Sequence, residues 1–249
     1  MLKKILKKAA TKIIYQTICL FRSTGTISFK SILIIAPHPD DEVIGLGGLM
    51  IQTLQSGGKV DILYLTDGEG SGAARDQELT KQARIALSEK VAQRLSIQKE
   101  SIHRLHLPDS IVSRLGKPGF EEGVTHFKEL IDSLNPEAVF ATDPLEFWPF
   151  DHLACSEMAI EAVNRSESKP SLWFYWVWTW FHLWHAWKSP WKPFCKLRKI
   201  GISGQMKQKK ELMDLYLKPL SPEGKPWSGV LPEAMLYPFT KPFEFIRRY

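Results

Sequence analysis

The chain has 249 residues, 44% of them hydrophobic and 24% charged, the balance of one large globular domain with a sizeable core. Its formal charge of +6 invites nucleic acid as a partner, yet residues 1–22 carry Lys3, Lys4, Lys7, Lys8, Lys12 and Arg22 with no acid, and the rest holds 27 charges of each sign. The excess belongs to the tail, so nucleic-acid binding by the domain loses its support.

Residues 1–22 alternate lysine pairs with Leu2, Ile5, Leu6, Ala9, Ala10, Ile13, Ile14 and Ile18, which predicts a helix with one basic and one apolar face. Its apolar stretches are too short to span a bilayer. Lys12 interrupts them, and Phe21-Arg22 provides no small-residue cleavage site, which argues against a secretory signal. Two readings stay open for this N-terminal helix or tail: packing on the domain, or peripheral attachment to the anionic inner face of a membrane. Cys19, Cys155 and Cys195 are too few and too scattered for a disulfide framework or a four-cysteine zinc site, which favours a reducing, cytoplasmic compartment.

Residues 23–249 read as a single α/β domain. The apolar run Ile32 to Ala36 predicts a strand buried on both faces, as in a parallel sheet, and Pro37 and Pro39 stop it. A helix comes next over 46–55, then a strand over 59–65 and a charge-laced helix over 76–95. After these come a strand over 102–107, a helix over 119–134, a strand over 137–141 and a helix over 154–163. This alternation predicts a Rossmann-like three-layer α/β/α fold with a mostly parallel sheet and right-handed crossovers. Beyond Pro170 the composition shifts: residues 171–191 hold seven of the nine tryptophans, eight prolines punctuate the chain from Pro190 to Pro242, and 207–217 reads as one more helix. Residues 170–249 are expected as an aromatic-rich C-terminal appendage of the same domain. Its aromatics serve as core, line a sugar- or lipid-binding cleft, or touch a membrane.

The turn after the first buried strand places His38 beside Asp40, Asp41 and Glu42, where open α/β sheets bind ligands, beyond the carboxyl ends of strands. A catalytic zinc keeps three protein ligands and leaves a position for water. His38 and one aspartate supply two ligands; Asp151-His152, opening the helix after the 137–141 strand, is the candidate source of the third if those strands are neighbours. Of the adjacent Asp40 and Asp41, one binds the metal and the other accepts the proton of the attacking water. The chemistry indicated is metal-assisted hydrolysis. Glu42 is expected to pair or cap locally, and Cys155 to be a buried structural thiol. Asp67 and Asp109 line the site or merely form turns. Gly45, Gly47 and Gly48 do not make a phosphate loop, because the preceding acids would repel the phosphate.

Pro37 to Glu42 resembles the Ala-His-Pro-Asp-Asp-Glu signature of the PIG-L/LmbE-like zinc-dependent N-acetylglucosaminyl deacetylases, with proline in place of alanine. Leu65 to Glu69, Leu105 to Asp109, Asp151-His152 and the lysine-containing helix at 207–216 are similar to later segments of that family. The resemblance implies N-acetyl removal from an amino sugar or glycoconjugate. It further implies His38, Asp41 and His152 as ligands of Zn2+ (Fe2+ in its stead), and Asp40 as general base. Arg75 is implied as a substrate contact, with Arg84 competing for that role, and Asp109 as a further site-lining group. The basic tail and the tryptophans suggest a lipid-linked or polymeric sugar. One departure stands out: the first histidine of the family's His-Pro-Asp-His block falls on Pro149. Proline can neither stabilise an oxyanion nor protonate an amine, so His182 or His185 is expected to substitute. The alternatives are a metal-retaining protein without turnover and a hydrolase of a different N-acyl group.

Overall fold

A computed structural model describes residues 2–25, 27–182 and 196–249. The helix Leu2–Phe21 (α1) leads into a two-residue strand Thr24–Gly25 (β1) and then the strand Ser31–Ala36 (β2). Ile32, Ile34 and Ala36 of β2 face one core and Leu33 and Ile35 face the other, so both sides of the strand are buried. The helices Asp41–Gln55 (α2) and Gln77–Arg94 (α3) cover the first face, and Phe120–Leu134 (α4) and Phe150–Arg165 (α5) cover the second. The strands Lys59–Thr66 (β3), Ile102–Leu107 (β4) and Ala138–Thr142 (β5) alternate with these helices. The three-layer α/β/α architecture matches the sequence expectation.

Three further strands come from the segment after Pro170: Ser171–Tyr175 (β6), Leu197–Gly201 (β7) and Phe243–Arg248 (β8). Between them lie a short helix Thr179–His182 (α6), the helix Met206–Leu217 (α7) and the short helix Glu233–Leu236 (α8). The sheet order is β1-β7-β8-β6-β5-β2-β3-β4, and β8 alone runs antiparallel to its neighbours. Residues 170–249, expected as an appendage, therefore complete the sheet. The physical reason is visible in β6, where Trp173 and Tyr175 enter one core while Leu172 and Phe174 enter the other. Much of the aromatic cluster is thus core.

The central strand β2 pairs with β3 on one side and β5 on the other, both parallel. Strand order reverses there, which opens a crevice at the carboxyl ends. Helix α2 begins at Asp41, five residues earlier than the pattern suggested. Asp41 and Glu42 in its first turn face the positive end of the helix dipole. Gly45 and Gly48 lie inside the helix because a β-carbon at Gly45 would come within 2.4 Å of Tyr175, and one at Gly48 within 2.6 Å of Ile202.

Helix α2 is clamped from the C-terminal side. Glu244 of β8 accepts from the amides of Gly48 and Leu49, and Lys209 of α7 donates both to Glu244 (2.6 Å) and to the carbonyl of Ile44 (2.8 Å). Both side chains are fully buried. Helix α1 packs on the domain through Thr11, Tyr15 and Ile18, with the Tyr15 ring 5.6 Å from Trp180 and 5.7 Å from Phe245. No helix among the described residues is long and apolar enough to cross a membrane.

Candidate active site

The turn from Pro37 to Asp40 is held on every side. The Pro37 carbonyl accepts from the amide and the hydroxyl of Thr66, and the Pro39 carbonyl accepts from Arg84 at 2.6 Å. Asp40 adopts a φ of 137°, a region that disfavours side chains other than glycine, and its amide donates to Glu42 Oε2 at 3.0 Å. Glu42 in turn accepts from Tyr216 of α7 at 2.7 Å. Glu42 therefore pairs locally, and it pins the strained residue. Burial pushes its carboxyl up to about 7.

Because β2 and β5 are neighbours, the start of α5 faces this turn. Asp41 Oδ2 lies 3.2 Å from His38 Nδ1 and 3.3 Å from His152 Nε2. The far nitrogen of each ring meets carboxylates: His38 Nε2 is 3.1 Å from Asp151 and 3.2 Å from Asp109, and His152 Nδ1 is 2.6 Å from Glu146. Carboxylates on the far nitrogens orient both rings and would hold the tautomer that turns a lone pair towards a bound ion. His152 Nε2 is buried and makes no hydrogen bond, an orphan that a divalent ion at the His38, Asp41 and His152 triangle would satisfy. A second grouping of His38 with Asp109 and Asp151 fits an ion less well. Asp151 already accepts from the amides of Ser110 (2.7 Å) and Val112 (3.0 Å), so it orients the imidazole.

Without an ion the same carboxylates favour protonated rings, a proton that a bound cation would replace. Burial would push both imidazoles down, but carboxylates outweigh it: Asp109 and Asp151 hold His38 well above its usual value, and Asp41 and Glu146 lift His152 to about 9. Burial would raise Asp41, yet His152 and His38 hold it below the carboxylate range. Asp40 behaves differently. Burial lifts it to about 6 against the pull of Arg84, whose guanidinium lies 3.1 Å away. A carboxylate poised near neutrality suits a general base.

These groups open into a cleft of about 370 Å³. Asp40, Arg84, Asp109 and Ser228 line it together with Trp148, Pro149, Phe150 and Trp178. The structure thus brings together His38, Asp40, Asp41, Asp109 and His152. It does not bring Arg75, which is exposed and whose amide donates to Glu223. Arg84, on α3 and 3% exposed, is the guanidinium that reaches the cleft. His182 packs behind the rim, its ring 4.9 Å from Phe147 and 5.8 Å from Trp148. His185 lies outside the described residues. Cys155 is buried, as expected.

Glu146 escaped the sequence reading. Besides His152 it holds the amides of Val177 and Thr179 and the Thr179 hydroxyl. Its one sequence signal is an acid a few residues before His152 in an otherwise aromatic stretch. Ser228 escaped as well: its hydroxyl is buried beside Asp40 and eases the ionisation of that carboxyl. Pro149 faces the cleft and has no donor to give it.

Comparison with known proteins identifies the family and the fold. The model of the GlcNAc-PI de-N-acetylase family, PIG-L, matches residues 33–163. Diacetylchitobiose deacetylase of Thermococcus kodakarensis is 30% identical over 139 residues, 54% of this chain and 49% of that one. The chain thus spans about half the length of that relative. Among solved structures, the N,N'-diacetylchitobiose deacetylase from Pyrococcus horikoshii aligns with a TM-score of 0.58 at 23% identity, over 75% of this chain and 69% of that one. The zinc-inhibited form of teicoplanin deacetylase Orf2 aligns with a TM-score of 0.60 at 15% identity, over 87% and 97%. At such identities the two structures speak for the fold.

Proposed function

The chain belongs to the PIG-L family of de-N-acetylases, and from that premise we propose that it is a metal-dependent hydrolase removing an N-acetyl group from an amino sugar or glycoconjugate. The observation that carries the reading is the convergence of His38, Asp41 and the orphaned His152 Nε2 on one point, with Asp40 beside it at the floor of one cleft. Zinc suits two imidazoles and a carboxylate; Fe2+ is the alternative the same donors accept.

When bound, the ion supplies Lewis acidity towards the acyl oxygen and favours ionisation of a water molecule. The chain's own residues do the rest. Asp40 accepts the proton of the attacking water and can return it to the departing amine. Arg84 holds Asp40 in place and keeps its carboxylate accessible near neutral pH. Pro149 offers no donor, and Arg84 and the Ser228 hydroxyl are among the donor groups that line the cleft. Trp148 and Trp178, their rings 4.9 Å apart, give a sugar an aromatic wall. The proposed substrate is lipid-linked or polymeric, met at the cytoplasmic face of a membrane with which the protein has peripheral contact.

Pro149 favours a second reading, a protein that keeps its metal and binds without turnover. Acetate release from N-acetylglucosamine conjugates by the zinc-loaded protein decides between them. Asp40→Asn is expected to cut release on the order of 10²–10⁴-fold with zinc stoichiometry unchanged. No release from any conjugate at full zinc loading would establish the binding reading.

A further inference from the structure

Helix α1 is apolar on two opposite sides, and the domain uses only one. Thr11, Tyr15 and Ile18 point inward, at spacings of four and three residues. Leu6, Ala9, Ile13 and Leu20 fall on the opposite stripe, and Leu6, Ile13, Leu20 and the neighbouring Phe21 stand 59%, 62%, 80% and 75% exposed. Leu6, Ile13 and Leu20, aligned at intervals of seven along one helix, make with Phe21 a patch that water does not favour. The exposed Lys12 flanks the stripe, whereas Lys8 pairs with Glu233 of the domain at 2.6 Å. At its far end the stripe meets a cavity of about 260 Å³ lined by Phe21, Arg22, Arg198 and Lys199.

We propose that this outward face of α1 is a docking surface for an anionic lipid bilayer, with the apolar stripe lying in the interface and the neighbouring cations against lipid headgroups. Charge selects the occupant. Residues 1–22 carry six cations and no acid, so a second copy laid along the stripe would set lysines against lysines, whereas an anionic surface complements them. A helix held to a folded domain by one face and apolar on the other lies along a membrane without crossing it.

The inward side of α1 is joined to the cleft rim. Lys7 Nζ sits 3.1 Å over the ring of Phe181, Phe181 lies 5.8 Å from Trp178, and Trp178 lies 4.9 Å from Trp148 at the cleft rim. Trp148 and Phe150 there are 45% and 57% exposed. Docking through the outward face of α1 deepens the proposed peripheral contact. It does not depend on amide hydrolysis, so vesicle binding and acetate release can fail separately.

The test is co-sedimentation of the full chain with vesicles of phosphatidylcholine alone or with phosphatidylglycerol added. Partition is expected to rise on the order of tenfold or more with the anionic lipid and to fall at high salt. The double variant Ile13→Glu/Leu20→Glu should lose binding with an unchanged thermal midpoint, because both side chains already face solvent. Lys12→Glu, which spares the stripe, should weaken it about tenfold. Equal pelleting on both vesicle types, or double-variant binding like that of the parent, would overturn the proposal. A salt-resistant dimer that Ile13→Glu/Leu20→Glu converts to monomer would overturn it in favour of a second copy.

Discussion

The two walls of the cleft are built on opposite principles. The metal side is backed by groups each committed several times over: Asp151 holds one imidazole and two amides, and Glu146 holds one imidazole and the 177–179 segment. The wall of Trp148, Phe150 and Trp178 is apolar, half-exposed and bound mainly by ring contacts. A reacting centre needs donors fixed to fractions of an ångström, and only a saturated hydrogen-bond network supplies that. A surface that selects a sugar and whatever the sugar carries needs area and adaptability. The division teaches where each kind of change will be felt.

The largest expected effect falls on neither wall, and it would show that the metal wall depends on the C-terminal half. Lys209→Met leaves Glu244 buried without its cation beneath α2, and should cost about 3–5 kcal/mol of stability in urea unfolding. Next is Glu146→Gln, which keeps the volume but weakens the hold on His152 Nδ1. Zinc affinity measured by chelator competition should fall about 10–100-fold, with the fold intact. Smallest is Trp148→Ala on the adaptable wall, expected to raise KM about fivefold while kcat stays within about twofold. An equal loss of kcat there would break the comparison, because it would make the apolar wall part of the reacting centre.

Legibility in the sequence divides between regular and irregular chain. The buried run of β2, its proline-bounded turn and Asp151-His152 are local patterns, and a parallel α/β order places their ends together. Arg84 was harder to rank against Arg75. On a charge-laced helix an inward arginine looks like its solvated neighbours until the carbonyls of Pro39 and Gly68 are seen to receive it. Glu146 and Ser228 sit in irregular chain, where no period marks the inward side. Strands β7 and β8 are short, and their antiparallel pairing joins residues tens of positions apart, such as Lys199 with Phe245. That register is decided by packing against α2 and α7, not by local propensity.

The backbone of Asp40 has a consequence for what a substitution there can gain. With φ at 137°, the position would suit glycine better than any side chain, and the carboxyl it carries is buried next to Asp41. Asp40→Gly relieves that backbone but strands the buried Arg84 guanidinium, so it should melt no higher than the parent while releasing no acetate. The chain thus keeps a strained backbone at the carboxylate proposed as the base, and the Arg84 pair holds it there.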